Sequence, residues 1–198
     1  PEVATVDQLR AVHTFDYIEE FLENRLDKSA ARRIGLPWSA GFARRTITAV
    51  GGTLLTLRLA LEHGLACNLG GGTHHAFPDF GSGFCIFNDA SVAARILLQE
   101  GLVQQILIVD LDVHQGDGTA FIHQDEVEVF TFSMHCQSNH HHESYRMSLK
   151  RYTMDLRWSL DRYSPIFRWS TQKCFRACHE PQIHLAISVP LAYRCCNM

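Results

Sequence analysis

Asp110, Asp112 and His114 stand at alternate positions at the end of the apolar run Ile106-Leu107-Ile108-Val109, and a strand through them projects all three side chains to one face. Two carboxylates and an imidazole behind an apolar strand are costly unless a cation or a protonated partner neutralises them, and a metal ion is the simplest such partner. In isolation the triplet fits equally well as solvated residues ending a strand. Gly116-Asp117-Gly118 weighs against that, since a turn there returns a third carboxylate toward the group. Upstream, Gly70-Gly71-Gly72-Thr73-His74-His75-Ala76-Phe77 places two adjacent histidines after glycines that let the backbone approach closely. Alone, such a pair reads as two surface residues of a flexible loop. With Asp110 and Asp117 available, it reads as two imidazoles held in chosen tautomers, the way a general base is oriented.

The elements that must position these groups follow from periodicity. Thr14 is placed to cap a helix whose Phe15, Ile18, Phe21 and Leu22 share a face. After a loop at Gly35-Leu36-Pro37-Trp38, the segment 43–63 is apolar almost all round and reads as a buried helix, with Gly51-Gly52 allowing close packing and Gly64 ending it. Residues 65–69 form a short apolar run, consistent with a buried strand feeding the glycines. Asn88 or Asp89 caps a helix over 90–100, closed by Gly101. Residues 105–113 are the clearest strand, β-branched and continuous as in a parallel strand covered on both faces, and 127–134 reads as a second. Strands alternating with helices predict an α/β fold with a mainly parallel sheet and functional groups at the carboxyl ends of its strands.

The chain has 198 residues, 46% of them hydrophobic, enough for one domain with a core and too few for a second full one. A net charge of −3, both signs being spread along the chain, supplies no electrostatic reason for nucleic-acid or anionic-membrane binding. No apolar run approaches the roughly 20 residues of a membrane-spanning helix and no signal peptide is evident, so an intracellular protein of cytoplasm or nucleus is expected. Opening on Pro1 leaves the natural beginning undetermined. Of seven cysteines, Cys67, Cys85 and Cys136 lie in the first 138 residues without regular spacing and read as reduced thiols. Composition changes at Asn139: the last 60 residues carry nine Lys+Arg against four Asp+Glu, whereas the first 138 carry nine against 17. Cys174, Cys178, Cys195 and Cys196 crowd into this tail, as does the run His140-His141-His142.

The segments GGGTHHAF, SGFCIFNDA and VDLDVHQGDGT, followed by TFSMH, resemble in order and spacing the zinc-dependent histone deacetylases, in particular their class IV and bacterial-type branch. The resemblance spans residues 12–139. It implies a three-layer arginase/deacetylase-like fold and hydrolysis of acetyl-lysine in histones or other proteins, or of a related acyl-amine. It further implies that Asp112 and His114 ligate zinc, that His74 pairs with Asp110 and His75 with Asp117, and that Gly83 and Phe84 line the tunnel for the acyl-lysine stem. A structural potassium ion is implied at the carbonyls of Asp110, Asp112, His114 and Met134 with the Ser133 hydroxyl. Arginase-like enzymes share the fold but continue D-x-H-x-D for two metals; Gly116 stands at that last position here and favours a single zinc.

Residues 1–139 are thus expected to be a partial deacetylase domain and 140–198 an atypical, poorly ordered tail. The third zinc ligand and the oxyanion tyrosine of the family have no counterpart in motif context after Asn139, although Asp155, Asp161, Tyr145, Tyr152, Tyr163 and Tyr193 are of the right types. The alternative expectation is a catalytically inactive, deacetylase-like protein acting by interaction.

Overall fold

The computed structural model describes residues 1–136 and the strands Thr153–Leu156 and Leu185–Val189. His140 to His142, Asp161, the four candidate tyrosines and the tail cysteines lie outside the described residues. The chain forms two compact units, one made of residues 1–102 with 116–125, the other of 103–115 with 126–198.

The first unit holds helices α1 (Val6–Leu9), α2 (Phe15–Leu22), α3 (Lys28–Ile34), α4 (Ala40–His63), α5 (Asp89–Gln99) and α6 (Asp117–Ile122). Helix α2 begins after Thr14 as its spacing predicts and buries Ile18 and Phe21. Phe15 stays exposed, with Arg10 over its ring. The hydroxyl of Thr14 makes no cap bond; its backbone N–H donates to Pro78 O at 2.9 Å instead. Helix α4 starts three residues earlier than expected because Ser39 caps it, accepting from Phe42 N, and Gly64 closes it at φ 85°. It is only half buried: Val50, Leu54 and Leu57 face inward, whereas Leu55, Leu59 and Leu61 are exposed. Its glycines do admit a neighbour, since a Cβ on Gly51 would collide with Glu2 O in the N-terminal segment, which is tied down by Ala4 N donating to Ile47 O at 3.0 Å.

Residues 65–69 are not a buried strand. Leu65 and Leu69 are 87% and 101% exposed. The Asn68 side chain accepts from Gly70 N at 3.1 Å and donates to the Thr53 hydroxyl at 3.0 Å, so local side-chain bonds curl the backbone where a ladder would have extended it. Helix α5 is capped by Asn88, whose side chain accepts from Ser91 N, which decides between the two predicted caps.

The second unit is a four-stranded, wholly parallel sheet in the order β3-β2-β1-β4, with β1 Ile106–Asp110, β2 Val129–Cys136, β3 Thr153–Leu156 and β4 Leu185–Val189. β1 is interior, pairing Asp110 with Ser133 on one side and Val189 on the other. Ile106, Leu107 and Ile108 are each at most 1% exposed, as a parallel strand covered on both faces requires. β2 starts two residues later than predicted, leaving Val127 exposed. Asp155 lies on β3 in register with His135.

An aromatic cluster centres the helical unit. Phe87 is fully buried between the rings of His13, Tyr17 and Phe21, at centroid separations of 5.1, 5.8 and 5.4 Å. Burial raises the Tyr17 pKa, and its hydroxyl donates to Ile86 O at 2.9 Å. Burial also holds His13 down at about 4, outweighing its bond to Phe77 O. The neutral ring uses both nitrogens: Nδ1–H donates to Phe77 O at 3.0 Å and Nε2 accepts from Asn88 N at 2.9 Å. Because the folded pKa lies below the unfolded value of about 6.5, the unfolded chain gains a proton between those limits that the folded chain excludes. This contribution to stability is complete above pH 6.5 and is lost as pH falls toward 4, by on the order of 3 kcal/mol. Urea denaturation at a series of pH values is expected to show this slope in the wild type and a shallower one in His13→Gln; equal slopes would exclude the assignment.

Candidate active site

In the helical unit, the loop after α4 delivers His74 and His75 as buried residues, 5% and 4% exposed, their ring centroids 4.1 Å apart. Its backbone is held by peptide and amide donors. His74 O accepts from Thr119 N at 3.1 Å, and Asn88 Nδ2 donates to Thr119 Oγ1 at 2.9 Å and to Ala76 O at 3.3 Å. A Cβ on Gly118 would collide with Ala76 O and His74 O, so only glycine permits α6 to lie this close to the histidine backbone.

Gly116-Asp117-Gly118 is not a turn; Gly116 is the N-cap of α6 and Asp117 its first residue. Its carboxylate meets a histidine within the helical unit. Asp117 Oδ1 lies 2.7 Å from His75 Nδ1 and also accepts from Gly118 N at 2.9 Å. A carboxylate at that distance requires the proton on Nδ1, which puts the basic lone pair of His75 on Nε2.

Gly83 and Phe84 form the wall beside this pair. A Cβ on Gly83 would stand 2.8 Å from His75 Cδ2, so the backbone lies directly against the imidazole. Gly83 N and Phe84 N donate to Arg33 O and Ile34 O at 3.3 and 2.9 Å, fastening the wall to the end of α3. Phe84 is held at φ 67°, a left-handed conformation costing a bulky residue about 1 kcal/mol or more, and its side chain is 57% exposed. It is not a core phenylalanine. Gly35 supports the ring from below, at 3.1 Å from where its own Cβ would be.

In the sheet unit, the alternate-residue argument holds only as far as Asp110. β1 ends there, and Asp112 and His114 lie in the following bends instead of on the strand. Two successive Asx turns gather them: Asp110 Oδ1 accepts from Asp112 N at 2.9 Å, and Asp112 Oδ1 accepts from His114 N at 2.8 Å. The second turn also brings His114 Nδ1 to 2.9 Å from Asp112 Oδ1. With Nδ1 deprotonated, two lone pairs would converge there, an arrangement that needs a cation between them. A carboxylate oxygen and an imidazole nitrogen are donors of the kind zinc takes, so this pair fits half of a zinc site. Among the described residues no group of three His, Cys, Asp or Glu is placed to hold a metal ion. Ser133 lies beside Asp110 in the β1–β2 register, buried, its hydroxyl 3.0 Å from His135 Nδ1, and Met134 follows it on β2.

The histone deacetylase domain matches this chain over residues 1–159, past the change in composition at Asn139. The chain belongs to the histone deacetylase family. An uncharacterized protein of Picosynechococcus sp. is 60% identical over 149 residues, covering 75% of this chain and 50% of that protein. The acetoin utilization protein AcuC of Staphylococcus aureus is 36% identical over 145 residues, covering 68% of this chain and 37% of AcuC. The crystal structure of an HDAC homolog from Aquifex aeolicus superposes with a TM-score of 0.61 at 32% identity, over 68% of this chain and 38% of that one. A solved HDAC homolog in complex with SAHA matches equally well. This deacetylase-family chain therefore has the α/β fold of the HDAC homologs in part, and spans half or less of the length of these relatives.

Asn88 was legible in the sequence only as a helix cap. Its amide performs a second task that composition does not show, because an asparagine can accept with Oδ1 and donate with Nδ2 at once. The close approach of Gly83 to His75 has a direct consequence. Gly83→Ala adds a Cβ against the imidazole and strains a residue at φ 52°, and is expected to cost about 1–3 kcal/mol of stability. Urea denaturation checks it; a change within about 0.5 kcal/mol would show that the wall is not packed on His75.

Proposed function

We propose that this chain is a zinc-dependent deacetylase, hydrolysing acetyl-lysine in a protein or peptide, or a related acyl-amine. The observation that carries the proposal is the 2.7 Å bond between the buried His75 and the half-buried Asp117, in a glycine-lined setting. An acceptor that fixes the proton on Nδ1 and stabilises the imidazolium formed by uptake at Nε2 is what a general base in amide hydrolysis needs. His74, whose ring is tilted 47° to that of His75 with the centroids 4.1 Å apart, is the second member of the proposed acid-base pair. Asp112 and His114 would hold the zinc. When bound, zinc polarises the acyl carbonyl and lowers the pKa of a water ligand. Gly83 offers a wall without a side chain and Phe84 an exposed ring, the surfaces along which the apolar stem of an acyl-lysine would lie. The carbonyls at the carboxyl end of β1, with Ser133 and Met134, are the proposed structural potassium site, since hard cations take oxygen ligands. Residues 1–139 form the deacetylase portion in this reading and 140–198 a distinct tail.

No helix among the described residues is long and apolar enough to cross a membrane. The named relatives are bacterial and lend no support to a nuclear location.

Two measurements test the function. Asp117→Asn keeps the shape of the carboxylate but presents an N–H or a weaker acceptor to His75, and is expected to lower kcat on an acetyl-lysine peptide roughly a hundredfold or more, with KM little changed. In metal analysis and calorimetry, the wild type is expected to bind one zinc and Asp112→Ala with His114→Ala none. A wild-type chain that binds no zinc and hydrolyses no acetyl-lysine peptide would assign this protein to the non-catalytic reading.

A further inference from the structure

The glycine segment before the histidines converges on a single buried carboxylate. Asp89, the first residue of α5, is 2% exposed. Its Oδ2 accepts from the Thr53 hydroxyl at 2.6 Å and from Gly72 N at 3.0 Å. Its Oδ1 accepts from Thr73 N at 2.8 Å and lies 2.7 Å from Thr73 Oγ1. The Thr73 hydroxyl has one proton to share between Asp89 Oδ1 and Phe87 O, the latter at 2.5 Å. The network is directional further out. Asn68 Nδ2 donates to Thr53 Oγ1 at 3.0 Å, which frees the Thr53 proton for Asp89, while Asn68 Oδ1 accepts from Gly70 N. A Cβ on Gly71, at φ 110°, would collide with both Asp89 Oδ2 and Thr53 Oγ1, so the loop wraps the carboxylate without room for a side chain.

We propose that Asp89 is a positioning residue for the tandem histidines: it fastens the peptide groups of Gly72 and Thr73, the two residues preceding His74, to α4 and α5. The inference rests on the reading of His74 and His75 as the acid-base pair of a deacylase. Two helices that bury apolar faces are rigid supports, and a loop tied to both at adjacent peptides has little freedom left to rotate. The imidazoles inherit that rigidity. A carboxylate suits this place better than any other group, since it presents acceptors only, and its negative charge stands in the first turn of α5, where the helix dipole favours it.

The isosteric Asp89→Asn variant tests this. Whichever way the amide is turned, its NH2 meets a backbone N–H, that of Thr73 at one end and of Gly72 at the other. In the zinc-loaded protein, kcat for an acetyl-lysine peptide is expected to fall roughly tenfold to a hundredfold with KM within about twofold of the wild type. In proton NMR, the downfield Nδ1 resonance expected for His75 bonded to Asp117 should broaden into exchange. Thr53→Val removes one donor and keeps the shape, and is expected to move both readouts in the same direction by less. Val129→Ala, which weakens the core of the sheet unit at the amino end of β2, is expected to change neither. A folded Asp89→Asn with wild-type kcat and resonance would overturn the proposal, as would Val129→Ala reproducing its effects. If Asp89→Asn does not fold, wild-type values for Thr53→Val in both readouts overturn it instead. Should the wild type hydrolyse nothing, the resonance alone still decides the role of Asp89, and only the deacetylase reading fails.

Discussion

Two imidazoles buried to within 5% of full enclosure must be carried by a loop, and a buried loop has no ladder to satisfy its peptide groups. Every feature of the helical unit near the histidines answers that constraint. Thr119 N and Asn88 Nδ2 supply donors to His74 O and Ala76 O, His13 supplies one to Phe77 O, and Phe77 N reaches back to Phe80 O. Each such bond adds only about 1 kcal/mol to stability, whereas each buried group left unpaired would cost about 1–3. The asymmetry disfavours any arrangement of the loop that would leave these groups unpaired. Its neighbours were selected for what they donate and accept as much as for the apolar surface they bury.

The same economy operates at the end of β1. A parallel strand could in principle continue through His114, but the carboxylates of Asp110 and Asp112 take the N–H groups two residues on. The ladder stops where the side chains begin to compete for the backbone. The competition is productive, because the second Asx turn draws the His114 ring onto Asp112. Metal-type donors thus converge through turn chemistry, with the strand supplying a firm origin buried against solvent.

Long elements were legible in the sequence because their signals are local and repeated. Helix α2 follows its apolar spacing, α5 its cap and closing glycine, and β1 its β-branched run, so each boundary falls within a few residues of expectation. The apolar run 65–69 misled because five residues carry no period that separates a strand from a loop, and a single asparagine side chain diverted the backbone. α6 was read as a turn because Gly-Asp-Gly suits a turn and a helix start alike; its intimacy with the histidine backbone is a tertiary contact. The half-buried state of α4 likewise depends on which neighbours reach it.

By itself the sequence determined the family, the residue types of the candidate site and the parallel sheet, since motif order and hydrophobic period are properties of the chain alone. Only tertiary structure decided the 2.7 Å separation of His75 and Asp117, a pair 42 positions apart that the resemblance had named, that Phe84 is exposed, and that Asp89 gathers the glycine loop. Those outcomes depend on which donors burial leaves in need of a partner, and burial is set by the packing of distant segments, which no local pattern encodes.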